Sequence, residues 1–399
     1  MGRYWHPRPP HIPWPTPARA REHAEHLRSL LIAKLECDLD PTGGNLLTLS
    51  GGVDSSSLAA LAAGVVGRPV WTWSLLPARE DLLQHELSYI EPLAQRYGFA
   101  RRWTVLFHER LVLELWRVAP CIVFHVIHPA LCSLPGIVQE APVRVLFGGE
   151  FADEVCGSSS TVPDWLAHTP LHRQLTDAQA LSSIPRHVAR WGKHRLAWLL
   201  GRPLLPFPQN LLERHLPNFF HREVREDYRA WWDRRRREVR DDPAPWRYLA
   251  VRTTALAGFA PMNWEACSAL GIRRSLPFFT REVLELAFAC HPTELYGPEP
   301  KKLLRNALRE DVPERNLLRP DKGGWGSHYQ EAYRWRGPMP EGALPEELEG
   351  VVGTEWLAQP PQEVDYWSLR YLTRLLLFVD ALQARRQERE GQGQIQVGW

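Results

Sequence analysis

A glycine-rich loop between a predicted strand and a predicted helix is the feature that most constrains the fold of this chain. Residues 46–57 read LLTLSGGVDSSS, an apolar run followed by two glycines and a run of serines in which a helix begins. Such a turn directs backbone N–H groups and hydroxyls to one point at the positive end of a helix. Gly51 and Gly52 carry no Cβ that would keep an anion away from the backbone. The sequence therefore predicts a phosphate-binding loop at the end of a strand.

A carboxylate lies inside this loop. Asp54 repels a phosphate unless a divalent cation lies between the two groups, so its presence indicates Mg²⁺. The loop matches neither the GxxxxGK[ST] nor the GxGxxG pattern of other nucleotide-binding proteins. It resembles the SGGxDS loop of ATP pyrophosphatases. The simpler alternative is a Gly–Ser turn that only caps a helix, but the strand before it and the aspartate within it favour a phosphate loop.

A second loop of the same kind follows another predicted strand. Residues 143–157 read VRVLFGGEFADEVCG, so that Gly148 and Gly149 are followed by three carboxylates within five residues. Because parallel strands end at the same edge of a sheet, we expect Asp54 and Asp153 to share one metal ion. The alternative is an acidic helix N-terminus, which the helix dipole stabilises.

Lysine is rare in this chain, and its distribution is uneven. Five of the 48 basic residues are lysines, and three of these five fall within residues 301–322. A compact ammonium group on a flexible stem suits a developing phosphoanion or oxyanion better than the planar guanidinium of arginine does. Lys301 is the candidate for such a role, whereas an exposed helix face is the simpler explanation for Lys302.

Hydrophobic periodicity separates an α/β part of the chain from a helical part. Apolar segments alternate with helical patterns up to about residue 160, which predicts a parallel sheet covered by helices on both faces. The predicted strands are residues 45–49, 69–75, 101–107 and 143–147, and the predicted helices among them are 18–39, 56–66 and 82–97. No strand pattern follows, and the later predicted helices are 178–200, 219–240, 246–270, 281–290, 301–310 and 364–386. We expect four regions: an extended lead-in (1–20), an α/β core (21–160), a helical substrate and lysine region (161–336), and a Gly/Pro-rich excursion with a final helix and a loose tail (337–399).

Charge and composition limit the possible partners and location. The chain has 48 basic and 46 acidic residues, a formal charge of +2 that creates no overall attraction to nucleic acid or to membranes. No apolar stretch is long and free enough of charge for a membrane span. The six cysteines are scattered without a CxxC pair, which is typical of a reducing compartment. We therefore expect a cytoplasmic protein with neither nucleic-acid nor membrane partners.

Taken in order, these blocks resemble the synthetase domain of glutamine-dependent asparagine synthetases and of their relatives, the β-lactam synthetases and lasso-peptide cyclases. The family pattern LSGGxDSS corresponds to residues 49–56, and GEGADELFGG corresponds to 149–158. The third family block, PFLD followed by KxLLR and RPKxGF, corresponds to residues 277–280, 301–305 and 319–324. The resemblance covers residues 21–330 and implies a Rossmann-like, adenine-nucleotide hydrolase-like core with a PP-loop, followed by a large C-terminal helical region.

The resemblance also implies a role for individual residues. Mg²⁺ would be held by Asp54 and Asp153. Glu150 would lie at the reacting acyl group, and Lys301 would stabilise the transition states. ATP would be bound by Leu49, Ser50, Gly51, Gly52, Asp54, Ser55, Ser56, Trp73, Ser74, Leu75, Gly148 and Gly149.

Several positions depart from the family pattern. Phe151 replaces a glycine, Thr280 replaces an aspartate, and Cys156 and Ser158 replace a phenylalanine and a glycine. In the third block, Asp321 and Gly324 differ from the family pattern. These changes leave ATP chemistry plausible and leave the acid substrate open. Residue 2 is a glycine, whereas a glutaminase domain would begin with its catalytic cysteine at this position. We therefore expect the amine to come from free ammonia, from a separate glutaminase or pathway partner chain, or from the substrate itself.

The resulting hypothesis is a ligase that forms AMP and pyrophosphate. It activates a small-molecule or peptide carboxylate as an acyl-adenylate. Ammonia or an amine of the substrate then attacks, as in a lasso-type macrocyclase or β-lactam synthetase. One rival is a tRNA-modifying PP-loop pyrophosphatase, for which the Trp- and Arg-rich run 231–237 could serve as a basic, aromatic patch. Acidic neighbours make a solvated helix face the favoured explanation of that run. The other rival is a non-catalytic paralogue that serves as a binding scaffold. Such a paralogue is expected to lose Asp54, Asp153 or Lys301, and all three are present.

Overall fold

A five-stranded, all-parallel sheet forms the centre of the part of the chain that the computed structural model describes. That part comprises residues 15–106, 133–157, 221–238, 267–296 and 300–319, with the single residues Trp165, Arg247, Val251 and Trp264. The strands are β1 (Asn45–Thr48), β2 (Trp71–Leu76), β3 (Arg101–Leu106), β4 (Val145–Phe147) and β5 (Arg273–Ser275). Their order across the sheet is β3-β2-β1-β4-β5, so the direction of strand addition reverses between β1 and β4.

Helices connect and flank these strands. They are α1 (Pro17–Asp38), α2 (Val53–Ala60), α3 (Glu80–Tyr97), α4 (Leu134–Glu140), α5 (Ala152–Cys156), α6 (Arg222–Glu238), α7 (Arg281–Ala289), α8 (Pro292–Leu295), α9 (Lys302–Ala307) and α10 (Glu314–Leu317). Helix α2 continues into a π-helical turn at Leu61–Val65. None of the helices in the described residues combines the length and apolar character that a membrane span requires.

The two central strands are buried on both faces. Leu46 and Leu47 in β1 and Leu146 and Phe147 in β4 have no exposed surface. Continuous apolar sequence of this kind is what a strand inside a parallel sheet requires, because both faces are covered. By contrast, β3 lies at the edge of the sheet and has several exposed side chains. The sheet therefore has its core around β1 and β4, where the two glycine loops begin.

Helix α1 holds the C-terminal elements against the core. Its N-cap, Thr16, accepts a hydrogen bond from the backbone N–H of Arg19, and Pro17 occupies the first turn, where a missing N–H is tolerated. Leu27, Leu31 and Leu35 recur at helical spacing and are almost completely buried. The helix packs against α7 and α9. This contact brings residues near 300 back to the sheet.

The α/β class and the four predicted strands are confirmed, but the chain contains one strand that the sequence does not predict. The sequence pattern shows no strand after residue 160, whereas β5 pairs in parallel with β4. Its three residues are Arg-Arg-Ser, which show no apolar alternation. Arg274 and Ser275 are nevertheless buried, because each makes polar contacts in the interior. Predicted helices 178–200 and 364–386, most of predicted helix 246–270 and the whole region 337–399 lie outside the described residues.

Candidate active site

The two glycine loops meet at the edge of the sheet where the strand order reverses. The residues after β1 and after β4 leave the carboxyl ends of neighbouring parallel strands, the position at which open α/β sheets bind ligands. A Cβ atom added to Gly149 would lie 2.8 Å from the Cβ of Asp54 and 3.1 Å from the backbone nitrogen of Ser55. The loops are therefore in direct contact, as their shared pattern predicts.

Hydrogen bonds of its own serines fix the conformation of the first loop. The backbone N–H of Ser50 donates to Ser55 Oγ at 3.1 Å, and Ser55 Oγ donates to the carbonyl oxygen of Gly52 at 3.3 Å. Gly51 has a φ of +69°. A Cβ there would lie 2.6 Å from the Cβ of Tyr89, so both the backbone conformation and the space require glycine. Helix α2 then begins at Val53 and places Asp54 in its first turn.

Asn316 and Arg319, near the end of the described part of the chain, hold the backbone of this loop in place. Asn316 Nδ2 donates to the carbonyl oxygens of Gly51, at 3.0 Å, and Tyr89, at 2.8 Å. Arg319 Nη1 donates to the carbonyl oxygen of Ser50 at 3.0 Å, and its guanidinium lies 4.2 Å from the centre of the Tyr89 ring. Arg319 belongs to the third sequence block, but no motif signals Asn316. Both residues fix carbonyl groups of the loop and so hold its backbone in one conformation.

A lysine joins the two loops. Lys301 Nζ lies 2.8 Å from Asp153 Oδ1 and also contacts Asp54 Oδ2. Asp153 stands in the first turn of α5, just as Asp54 stands in the first turn of α2. Burial acts to lower the pKa of the Lys301 ammonium, but the two carboxylates outweigh it, so this pKa lies above the usual lysine value. Lys301 is therefore a permanent positive charge between the two carboxylates.

The backbone at Lys301 is itself unusual. Lys301 has a φ of +61°, and its N–H donates to the carbonyl oxygen of Gly157 at 2.8 Å. Phe151, which precedes α5, has a φ of +69°, and in the described part of the chain these two are the non-glycine residues with positive φ. Left-handed backbone is unfavourable for residues with a Cβ and is concentrated at functional sites. Both positions lie immediately before short helices that border the carboxylate pair.

Glu150 is paired with an arginine that the sequence blocks do not include. Arg274 Nη2 donates to Glu150 Oε1, and Arg274 Nη1 donates to the carbonyl oxygen of Leu146 at 3.3 Å. The side chain of Arg274 is fully buried, and that of Glu150 is 12% exposed. Glu150 Oε2 is buried and has no hydrogen-bond partner in the described residues. The structure thus brings Glu150 to the same sheet edge as Asp54, Asp153 and Lys301.

Both glycine loops lie in a stretch of the sequence that matches a known protein family. The family described as asparagine synthase matches residues 41–376, which include both loops and Lys301. The chain belongs to the asparagine synthase family. This family consists of ATP-dependent ligases with a PP-loop, adenine-nucleotide hydrolase-like fold, so the predicted resemblance and fold are confirmed. A comparison with curated protein sequences gave no match.

The structure shows the surroundings of three departures from the asparagine synthase pattern. Thr280 is the N-cap of α7 and accepts a hydrogen bond from the backbone N–H of Val283 at 3.2 Å, a role that aspartate and threonine both perform. Phe151 keeps the left-handed backbone that a glycine would adopt, while its ring stacks on Phe279 with the centroids 4.1 Å apart. Burial raises the pKa of the Cys156 thiol well above its usual value, so this cysteine is an inert core residue. Ser158, Asp321 and Gly324 lie outside the described residues.

Four of the ATP-binding residues that the resemblance to asparagine synthases predicts, Leu49, Trp73, Ser74 and Leu75, lie beside the first loop. The backbone N–H of Leu49 donates to the carbonyl oxygen of Trp73 at 2.8 Å, and Ser74 Oγ donates to the carbonyl oxygen of Leu49 at 2.6 Å. The Trp73 side chain is buried in the core, and Leu75 is also buried. This end of β2 is therefore tied to the loop mainly through its backbone.

The donor atoms between the loops fit the magnesium that is typical of the asparagine synthase family. Asp54 and Asp153 both contact Lys301 Nζ, so their carboxylate oxygens lie close to one another. Mg²⁺ prefers such hard oxygen ligands, usually one or two carboxylates together with phosphate oxygens and water. The Cys156 thiol interacts electrostatically with both carboxylates, but its raised pKa keeps it protonated, so it is not a competing ligand. The site is thus suited to a magnesium-bound nucleotide.

Proposed function

We propose that this protein forms an amide bond in two steps, by converting a substrate carboxylate to an acyl-adenylate with release of pyrophosphate and then transferring the acyl group to an amine. The observation that carries the proposal is the contact of Lys301 with Asp54 and Asp153, directly beside the glycine loop that follows β1. A phosphate-binding loop, a pair of carboxylates able to hold Mg²⁺ and a fixed ammonium stabilise the charge that moves onto the leaving phosphate in such a reaction. Membership of the asparagine synthase family supports cleavage between the α and β phosphorus atoms.

In the first step, a carboxylate oxygen attacks the α phosphorus of ATP and pyrophosphate leaves. The loop after β1 binds the leaving phosphates through its N–H groups and serine hydroxyls. Asp54 and Asp153 would hold Mg²⁺, which neutralises phosphate charge when it is bound. Lys301, which lies between the two loops, stabilises the negative charge that develops on the departing oxygens.

In the second step, the amine attacks the acyl carbon and AMP leaves. Glu150 would orient the amine or accept its proton, because one of its oxygens is held by Arg274 while the other has no hydrogen-bond partner in the described residues. Lys301 again stands near the negative charge that develops on the acyl oxygen. Holding the adenylate and the amine in one protected site limits hydrolysis and supplies part of the rate.

The identity of the acid and the amine is the finer part of the proposal. Phe151 fills, with a stacked aromatic ring, a position next to Glu150 at which the family pattern has glycine. The ring is buried in the core directly after Glu150 in the chain, and this departure from the family pattern supports an acid other than free aspartate. We propose a substrate that carries its own amine, as in a lasso-type macrocyclase or a β-lactam synthetase, with ammonia from solution or from a separate glutaminase chain as the other source.

The experiment that tests this function follows oxygen atoms. The purified protein is incubated with Mg·ATP and a panel of ¹⁸O-carboxylate acids, including aspartate and peptides with a free α-amine and an acidic side chain. We expect AMP and pyrophosphate, with one ¹⁸O atom appearing in AMP by mass spectrometry, because the attacking carboxylate oxygen stays on the phosphorus. ADP with phosphate, or AMP release that depends on tRNA rather than on an acid, would overturn the proposal.

A further inference from the structure

We propose that Arg274 is a positioning residue for Glu150 and that it serves the attack of the amine rather than the use of ATP. The inference rests on the proposed function, because it assigns Arg274 to one of its two steps. Arg274 lies in the short strand β5 and is in register with Leu146 of β4. It belongs to neither glycine loop nor to the lysine block, so the motifs alone assign it no role.

The guanidinium of Arg274 is fixed from two directions. One nitrogen, Nη1, donates to the carbonyl oxygen of Leu146 at 3.3 Å, and the other, Nη2, donates to Glu150 Oε1. The first contact anchors the group to strand β4, and the second reaches the carboxylate that follows the same strand. A planar guanidinium with two fixed contacts holds its partner in one orientation, whereas a flexible ammonium would not.

Gly148 provides the space for this pair. A Cβ atom added at residue 148 would overlap both Glu150 Oε2 and Arg274 Nη2. The φ of Gly148 is not in the left-handed region, since the positive-φ glycines of the described chain do not include it. The glycine is therefore required here by the close approach of the Glu150–Arg274 pair and not by its backbone conformation.

The pair also leaves one buried carboxylate oxygen of Glu150 in need of a hydrogen-bond donor. The side chain of Arg274 is fully buried, so its charge needs a partner inside the protein, and Glu150 Oε1 provides it. The second oxygen, Oε2, is left without a hydrogen-bond partner in the described residues. An amine N–H is a suitable donor for this oxygen. Arg274 thus presents one defined acceptor to the amine, although it does not itself touch the substrate.

The contacts of Arg274 are separate from those that support the phosphate loop. Asn316 and Arg319 hold the carbonyl groups of Gly51 and Ser50. The hydrogen bonds of Arg274 in the described residues go to Leu146 and Glu150. A change at Arg274 is therefore expected to affect the amine step while leaving ATP binding and adenylate formation nearly intact.

The test separates the two half-reactions in Arg274→Met, Arg274→Lys and the control Arg273→Met. Arg273 is the neighbouring residue of the same strand and contacts the carbonyl oxygen of Asp38 instead. Exchange of labelled pyrophosphate into ATP with the acid identified above reports adenylate formation, and hydroxamate formation with hydroxylamine reports the amine step. For Arg274→Met we expect exchange within about 3-fold of the unmodified protein and hydroxamate formation lowered by about 100-fold, with Arg274→Lys between the two. Equal loss of both activities, or unchanged hydroxamate formation, would overturn the proposal.

Two further measurements do not depend on Arg274→Met alone. The double variant Arg274→Met/Glu150→Gln removes both buried charges, and its hydroxamate rate should be no lower than that of Glu150→Gln, since the two residues act as one unit. In crystal structures of the variants, the Glu150 carboxylate should turn away in Arg274→Met and stay in place in Arg273→Met; an unmoved Glu150 contradicts the proposal. If the unmodified protein forms no AMP with any acid, the proposed function fails, whereas the crystal structures still decide whether Arg274 positions Glu150.

Discussion

Asn316 Nδ2 donates a hydrogen bond to the carbonyl oxygen of Gly51 across 3.0 Å, although 265 residues separate the two in the chain. A second hydrogen bond from the same amide reaches Tyr89 on α3. Asn316 has no exposed surface. Both N–H groups of one buried side chain are therefore used to hold the phosphate loop against α3.

Replacing Asn316 with alanine should destabilise the protein and weaken nucleotide binding. Two buried carbonyl groups lose their donor, which costs about 1–3 kcal/mol in the free energy of unfolding. The matched control is Asn306→Ala, because Asn306 is exposed on α9. Urea unfolding and calorimetry with Mg²⁺ and α,β-methylene-ATP measure both effects. Equal behaviour of the two variants would show that the loop does not depend on Asn316.

Gly149→Ala should disrupt the contact between the two loops. The added Cβ would lie 2.8 Å from the Cβ of Asp54 and 3.1 Å from its backbone carbonyl carbon, so one loop must move. We expect a loss of about 1–3 kcal/mol in stability, as for other overpacked sites, together with weaker binding of the methylene analogue. In Gly136→Ala, the control within α4, the new Cβ meets nothing within 4 Å. That helical substitution should stabilise the protein by about 0.5–1 kcal/mol, measured by the same denaturation.

Lys301→Met should abolish most AMP formation. The variant keeps the length of the side chain but loses the ammonium between Asp54 and Asp153, and we expect a decrease of about 100- to 1,000-fold in the rate of AMP release. Lys302→Met is the control, since Lys302 is exposed and donates to the carbonyl oxygen of Thr293 at 3.2 Å. Chromatographic assay of AMP compares the two. A Lys301→Met protein as active as Lys302→Met would remove Lys301 from the chemistry.

Asp54→Asn and Asp153→Asn should weaken divalent-ion binding. Each change removes one negative charge from the point where the two loops converge, and we expect the affinity for Mn²⁺ in the presence of the methylene analogue to fall at least ~10-fold. Electron paramagnetic resonance of free Mn²⁺ provides the measurement. Asp81→Asn is the control, because Asp81 is exposed at the start of α3 and pairs with Arg79. Unaltered Mn²⁺ binding in both site variants would contradict the metal assignment.

The buried thiols predict a loss of stability at alkaline pH. Burial raises the pKa of Cys267 to about 11 and raises that of Cys156 and Cys290 as well. Because the folded state binds these protons more tightly, their contribution is complete below about pH 9 and is lost as the pH rises toward 11. The urea midpoint should therefore fall between pH 8.5 and 10.5, and by less in Cys267→Ala. At pH 8.5, iodoacetamide should label the exposed Cys37 before the buried Cys156, Cys267 and Cys290, as mass spectrometry can show.

The sequence predicts the parts of the site whose chemistry is local. Each glycine loop lies within about a dozen residues, and the rule that parallel strands end at one edge is enough to place Asp54 beside Asp153. Lys301 could be singled out because lysine is so rare in this chain. In each case the residue type and its position in a short pattern carry the information, and no knowledge of distant contacts is needed.

Residues that act across long sequence separations could not be predicted in this way. Arg274 is one of many arginines, and its strand has three polar residues with no strand-like alternation. Asn316 follows no motif, and its importance comes from two carbonyl groups on other elements. The role of such residues depends on which surfaces meet in the fold. Buried polar residues that lie far in the sequence from any recognised motif can therefore be identified as part of the site only from the structure.

The contacts of Lys301 with the two carboxylates also affect how the site can form during synthesis of the protein on the ribosome. Asp54 and Asp153 are synthesised long before Lys301, which is 247 residues downstream of Asp54. Until that lysine emerges, a nascent chain that has already formed β1 and β4 brings two negative charges together without their common partner, which opposes closure of the loops. Completion of the site must therefore wait for translation of the last quarter of the chain.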